Sequence, residues 1–374
     1  MKRHPAARAV LAVLVVAVLA GELWWLAPHF AVAGHALTHP RWAWLAIAIL
    51  AEMVSMITFA RLQRTMLTAG GVCVPFHRAV VLTFAANVMS VTLPAGPAVS
   101  TSYTYKHMRQ WGADAPLVTF SLVASGILST ITLVIIGVLG GALAGRQPNP
   151  AILAVEVAGV IALALALRRL AHRPDLVLKF STVSLHEYNK LRRRPRDTDI
   201  ERLDAFLEEL AVIHPRGRDW GRGLLFSALN WTTDFICLFA AARAIGAGGL
   251  TLGVALIAYA AGMAASSVPL LPGGLGIVDG AMILALSQGG LSGGQATAGV
   301  AVYRLISFFL VAVIGAGAWL LVKHADARLA VQARAVAASC TSGWQAIRAK
   351  TWPGPVTAAP PAGPESDNGN HGER

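Results

Sequence analysis

The chain reads as an all-α polytopic membrane protein of six full spans plus two Pro/Gly-broken helical hairpins, arranged as an inverted-topology repeat. Three observations lead there. Of 374 residues, 55% are hydrophobic and 13% charged, about half the charged share of a soluble domain. Six apolar stretches, 8–27, 41–60, 116–143, 149–168, 223–246 and 295–322, each reach the roughly 20 residues a helix needs to cross a bilayer. Two more, 79–112 and 251–290, are interrupted in the middle by proline and glycine. Proline removes a helix donor and glycine loosens the backbone, so neither stretch is one continuous helix.

Taken in order, the chain starts with Lys2, Arg3 and Arg8 ahead of its first span. Basic residues gather on the cytoplasmic side, which puts the N-terminus there. No small-residue cleavage site followed by soluble sequence ends this run, so it is a retained helix rather than a signal peptide. Residues 28–40 carry no Lys or Arg and lie outside; Arg61, Arg64 and Arg78 return the chain inside. The loop 169–221, with Arg192, Arg193 and Arg194, is cytoplasmic. Counting back from it, span 149–168 runs inward and span 116–143 outward. The interrupted stretch 79–112 therefore begins and ends inside, and turns at Leu93, Pro94, Ala95, Gly96 and Pro97. In the second half, span 223–246 runs outward, and span 295–322 runs inward towards Lys323, Arg328 and Arg334. The stretch 251–290 begins and ends outside. Two full crossings would satisfy the same parity, but its second arm is short for that.

Three regions follow: a first membrane half (1–144), a second (149–322) and a cytoplasmic tail (323–374), the tail disordered after about 351 on its Pro/Gly-rich, polar composition. Within loop 169–221, Leu203, Phe206, Leu207 and Leu210 recur at helical spacing and suggest a surface helix over 199–213. The two halves share a faint likeness. At an offset of 178 residues Pro94 and Gly96 fall on Pro272 and Gly274, and Thr119, Ser129 and Gly137 on Thr297, Ser307 and Gly315. Inverted repeats of this kind underlie many alternating-access transporters, whose substrate sites sit at broken helices near the midplane.

The net charge of +12 lies beside apolar spans, which favours anionic lipid headgroups over nucleic acid as partners. Cys73, Cys237 and Cys340 are scattered, and the histidines form no ligand pair, so neither a disulfide framework nor a metal site is legible. No phosphate-binding GxxxxGK[ST] loop is present, no cofactor is implied, and no catalytic constellation can be read. The informative groups are ionisable residues inside the spans, where a charge costs about 3 kcal/mol at the bilayer centre and needs a reason. Glu52, Asp234 and Arg304 fall near the midplane, and Asp279 opens the second hairpin arm. Arg304 keeps its charge at physiological pH and requires a carboxylate, Asp279 first by sequence and Asp234 second by depth. Its planar fork also suits a lipid phosphate.

Residues 230–315 resemble the flippase-like transmembrane domain of bacterial lysylphosphatidylglycerol synthases and its stand-alone relatives. Asn230, Trp231 and Asp234, then Tyr259, then Pro269, Pro272, Gly273, Gly274, Gly276 and Asp279, then Tyr303 and Arg304 carry the likeness. Where the family usually has Glu, Asp279 stands here. The first half departs: the family's Pro-Gly-x-x-Gly-Glu, with an Arg soon after, is replaced by Leu93–Ser100 without an acid. The soluble aminoacyl-transfer domain has no counterpart after residue 322, so lysyl transfer is not expected. With Glu52, the motif residues Arg304, Asp279, Asp234, Tyr303, Trp231 and Asn230 make up a candidate substrate site; Pro94, Gly96, Pro269, Pro272, Gly273, Gly274 and Gly276 shape the hairpin backbones. The resemblance implies a transporter of the bacterial cytoplasmic membrane, with both termini cytoplasmic, that moves a lipid or lipid-linked headgroup. Two alternatives stand beside it: a membrane enzyme acting on a lipid headgroup, and a non-transporting envelope scaffold. Homo-oligomerisation is compatible with each.

Overall fold

The structure, a computed structural model, describes residues 40–143 except 94, residues 206, 210 and 213, and residues 215–266, 274 and 276–322. The expected spans 8–27 and 149–168, most of loop 169–221, the tail, and Pro94, Pro269, Pro272 and Gly273 lie outside these residues. Every described element is helical.

Four helices have the length and hydropathy to cross a membrane: α1 (Trp42–Ala69), α4 (Ala115–Leu143), α5 (Gly217–Ala244) and a 30-residue span, Gly293–Val322. The last begins as α8 (Gly293–Arg304) and passes through a π-helical segment, Leu305–Leu310. Large apolar side chains such as Leu50, Val123, Leu139, Leu225 and Leu321 face outward, as expected of a chain solvated by hydrocarbon.

Pairwise contacts fix the helix directions. Arg41 N donates to Ala244 O at 3.0 Å, Ser55 Oγ donates to Asn230 Oδ1 at 3.1 Å, and Leu62 and Met66 fill the space left by Gly223. Helices α1 and α5 therefore run antiparallel along their whole lengths. Helix α4 is antiparallel to α1, with Gly70 against Leu117 and Ser121 Oγ donating to Gln63 O at 3.3 Å. It runs parallel to α5, where Thr132 and Ser227 share a buried hydroxyl contact of 2.9 Å and Phe120 meets Trp220. Helix α8 is antiparallel to α5, with Gly299 against Ala242 and Tyr303 against Asp234. These relative directions match the sequence count: α1 and the 293–322 span one way, α4 and α5 the other.

The interrupted stretches are helix–turn–helix pairs. Helices α2 (Phe76–Thr92) and α3 (Gly96–Gln110) join the end of α1 to the start of α4; α6 (Leu252–Ser266) and α7 (Ile277–Gln288) join the end of α5 to the start of α8. The longest arm has 17 residues, fewer than the roughly 20 needed to span. In the first turn Ala95 takes φ 54°, and a Cβ on Gly96 would lie 1.9 Å from Ser90 O. In the second, Gly274 and Gly276 take φ of 66° and 80°, a region that favours glycine. Arms pack closely where side chains are small: Gly262 against Met282, and Gly289 against Val254.

The end of α1 adjoins the start of α4, and the end of α5 adjoins the start of α8, so the two hairpins open at opposite ends of the four long helices. The first packs on the α1 end rich in Ala60 and Leu67 and on the α4 start at Leu117 and Val118. The second packs beside Ala48, Ala51, Ile136 and the Ala240–Ala242 run of α5. The long helix touches both, the second hairpin through α8 and the first through Gly315, which lies against Phe84 and Val88.

Two helix ends differ from the apolar windows. Helix α1 continues past residue 60 because its last turns are polar yet anchored: Arg61 lies 4.8 Å from the Phe76 ring, and Arg64 Nε donates to Val74 O at 2.7 Å. Helix α5 starts early, at Gly217, where Asp219 accepts from Arg216 N and caps the first turn. At its other end Arg243 donates to Gly248 O and Leu250 O and holds the loop into α6.

Candidate functional site

Helical spacing builds the site. Asn230, Trp231, Asp234 and Cys237 recur every three or four residues and line one stripe of α5. Ser55 and Glu52 form the matching stripe on α1. Asn230 accepts from Ser55, and this register sets Glu52, one turn before Ser55, level with Asp234, one turn after Asn230. Two tyrosines close on Asp234 from other helices: Tyr259 of α6 donates to Oδ2 at 2.7 Å, and Tyr303 of α8 donates to Oδ1 at 3.0 Å. Both rings are buried, Tyr259 edge-on to Trp231 and Phe235. Asp234 thus has a donor on each oxygen.

Next along α8, Arg304 Nε donates to Asp279 Oδ1 at 2.5 Å. Asp279 stands in the first turn of α7, just past the hairpin break, and its Oδ2 accepts from Gly276 N at 3.1 Å. One carboxylate therefore caps a helix start, where the macrodipole favours negative charge, and pairs with the arginine. Arg304 also lies within electrostatic reach of Asp234. The pair is enclosed, with Arg304 8% and Asp279 4% exposed.

The depths agree. Measured from the end at which the second hairpin opens, Glu52 lies about 15 Å along α1, Asp234 about 15 Å along α5 and Arg304 about 16 Å along α8, at 1.5 Å per residue. Five helices thus deliver Glu52, Asp234, Tyr259, Asp279, Tyr303 and Arg304 to one level of the bundle. The π-helical turns begin at the next residue, Leu305. Such turns carry i→i+5 hydrogen bonds and are frequent at functional sites.

All seven expected site residues fall in this cluster: Arg304 on Asp279, Asp234 and Tyr303 joined, Trp231 and Asn230 on the flank, Glu52 opposite. Gly274 and Gly276 shape the break behind Asp279, whereas Gly96 belongs to the other hairpin. Three participants were not among the expected site residues. Tyr259 has no local signal beyond the motif it shares with the resembling family. Cys237, dismissed as scattered, stands one turn from Asp234, and Ser55 one turn from Glu52; that spacing was the available clue.

With the geometry in view, comparison with known proteins is informative. A family described as the lysylphosphatidylglycerol synthase transmembrane region matches residues 10–315. A curated relative, a UPF0104 membrane protein of Methanothermobacter thermautotrophicus, is 32% identical over 134 residues, 35% of this chain and 37% of that protein.

Proposed function

Since the chain belongs to the lysylphosphatidylglycerol synthase transmembrane-region family, a family of multi-pass membrane domains, we propose that it is a flippase-like transporter moving an anionic lipid or lipid-linked headgroup between the leaflets of the bacterial cytoplasmic membrane. One observation carries the reading: a permanently charged Arg304 held at mid-depth by an acid that sits on a broken hairpin. A guanidinium in that position can give a phosphate a bidentate contact in exchange for Asp279. When phosphate takes Arg304, Asp279 keeps its second bond to Gly276 N and is not stranded. The π-helical turns after Arg304 supply slack for its helix to shift. The hairpins, opening at opposite ends, act as re-entrant elements of an inverted-topology repeat, and rocking of the two membrane halves exposes the site to each leaflet alternately. The carboxylates gather at mid-depth rather than at a membrane face, where a headgroup-modifying enzyme needs them.

The test is leaflet exchange of fluorescent phosphatidylglycerol and phosphatidylcholine in proteoliposomes. The purified protein should exchange the anionic lipid faster. Arg304→Leu alone leaves Asp279 buried without its charge partner, a change that costs about 3–5 kcal/mol. Arg304→Leu with Asp279→Leu should regain much of that stability yet fail to exchange lipid. Full exchange by the double variant would defeat the headgroup role of Arg304.

A further inference from the structure

The mechanism above uses Arg304 and Asp279 and leaves the neighbouring acid pair without a task. The Ser55–Asn230 bond fixes the register of α1 and α5 and sets Glu52, one turn before Ser55, level with Asp234, one turn after Asn230; two acids side by side in a buried site favour one shared proton over two charges. Asp234 already receives hydroxyl protons from Tyr259 and Tyr303 on its two oxygens, so it is equipped to be the acceptor and Glu52 the donor. Glu52 is 4% exposed, and its Oε2 is buried without a hydrogen-bond partner. A structural acid in a dry core would have its oxygens satisfied; an open one suits a group that gains and loses a proton.

Among the described residues, the groups facing the pair are Cys237 on α5, Tyr259 on α6, Tyr303 and Arg304 on α8, and Asp279 on α7 behind Arg304. Helix α4 contributes no ionisable residue, the rest of the 293–322 span none beyond Arg304, and α2 only His77 and Arg78 at its far end. Arg304 is the one cation among them. Among the described residues no group of three or more His, Cys, Asp or Glu has metal-holding geometry.

We propose that Glu52 and Asp234 form a proton-binding site whose loading is coupled to the movement of the lipid headgroup. The coupling part rests on the transport reading above. With the proton on Glu52, the pair carries one negative charge and Arg304 remains available to Asp279 or to a phosphate. Release passes the Glu52 proton to water on the open side and leaves two facing carboxylates. Arg304 is the cation in reach, so the bare pair competes with the phosphate for it. Proton and anionic headgroup therefore favour each other's binding, and by linkage the effect is reciprocal.

Two measurements on the full chain test this. The first is infrared spectroscopy of purified protein in detergent, in water and in D2O. A carboxylic C=O band sensitive to D2O should be present at neutral pH and lost in Glu52→Gln; identical spectra for the two proteins would overturn the proton site. Should Glu52→Gln fail to fold, Tyr259→Phe takes its place, and removing one bond from Asp234 should shift the band; an unshifted band would count against the site. The second is the leaflet ratio of fluorescent phosphatidylglycerol in proteoliposomes under an imposed pH gradient. With one proton per lipid, each pH unit supports a ratio of up to about tenfold. Exchange of lipid with no ratio under the gradient would overturn the coupling. If no lipid moves at all, the transport reading falls and the coupling with it, while the infrared result still decides the proton site.

Discussion

Asp234 and Asp279 lie near one arginine but depend on different partners. Asp279 is held by a cation and a backbone N–H; Asp234 is held by two phenols. Tyr259→Phe and Tyr303→Phe each keep the ring and remove one O–H donor. Each change should cost about 1–3 kcal/mol, since it leaves a buried acceptor short of a bond. Unfolding of the detergent-solubilised variants is the check; wild-type stability in both would mean that Asp234 does not need these donors. The effects should not add, because both phenols serve one carboxylate. At this scale the sequence disclosed the charged residues and the Arg304–Asp279 pair, but not the two phenols that hold Asp234. A charge inside an apolar span stands out because hydrocarbon penalises it, so Glu52, Asp234, Asp279 and Arg304 were visible from composition alone. Tyr259 and Cys237 are ordinary residues of apolar helices, and only the meeting of α5, α6 and α8 gives them a role.

At the scale of elements, the hairpin breaks were legible and their chemistry follows from close approach. Gly96 begins α3 against the Ser90 carbonyl of α2, and a Cβ there would lie 1.9 Å from backbone oxygen, which cannot swing aside. Gly96→Ala should destabilise by about 1–3 kcal/mol, the range for overpacking a tight contact. Gly126 of α4, with nothing within 4 Å of an added Cβ, is the control, and its alanine variant should behave as the wild type. Equal unfolding of the two variants would show that the first turn tolerates a side chain. Two features of the elements could not be read from the chain. Helix α1 runs to Ala69 because its arginines find a ring and a carbonyl to lean on, whereas an apolar window stops at the first charge. The π-helical turns at Leu305–Leu310 are written in the same apolar alphabet as the α-helix around them and leave no compositional mark.

For the whole molecule, the directions of the four long helices and the placing of the hairpins follow from glycines that admit a neighbouring helix: Gly70 meets Leu117, Gly223 meets Met66, Gly299 meets Ala242 and Gly140 meets Leu256. Between helices in hydrocarbon there is little hydrophobic drive, and close backbone approach at Gly and Ala is what selects partners. The charge count along the sequence reached the same relative directions by another route, because basic loops remain on one side of the membrane. The two routes are independent, and they make a joint prediction about opposite faces. Asp114 lies just past the first hairpin with its side chain 85% exposed, and Gly249 lies just before the second, with nothing within 4 Å of an added Cβ. In a background with Cys73 and Cys340 replaced by serine, and Cys237 kept because it is fully buried, Asp114→Cys should react with a membrane-impermeant thiol reagent only from the cytoplasmic side. Gly249→Cys should react only from the outer side. Labelling of intact cells against inverted vesicles reads this directly. If both cysteines react from one side, the hairpins open towards the same face, the inverted-repeat reading fails, and alternating exposure of Arg304 would require a motion other than the rocking of two opposed halves.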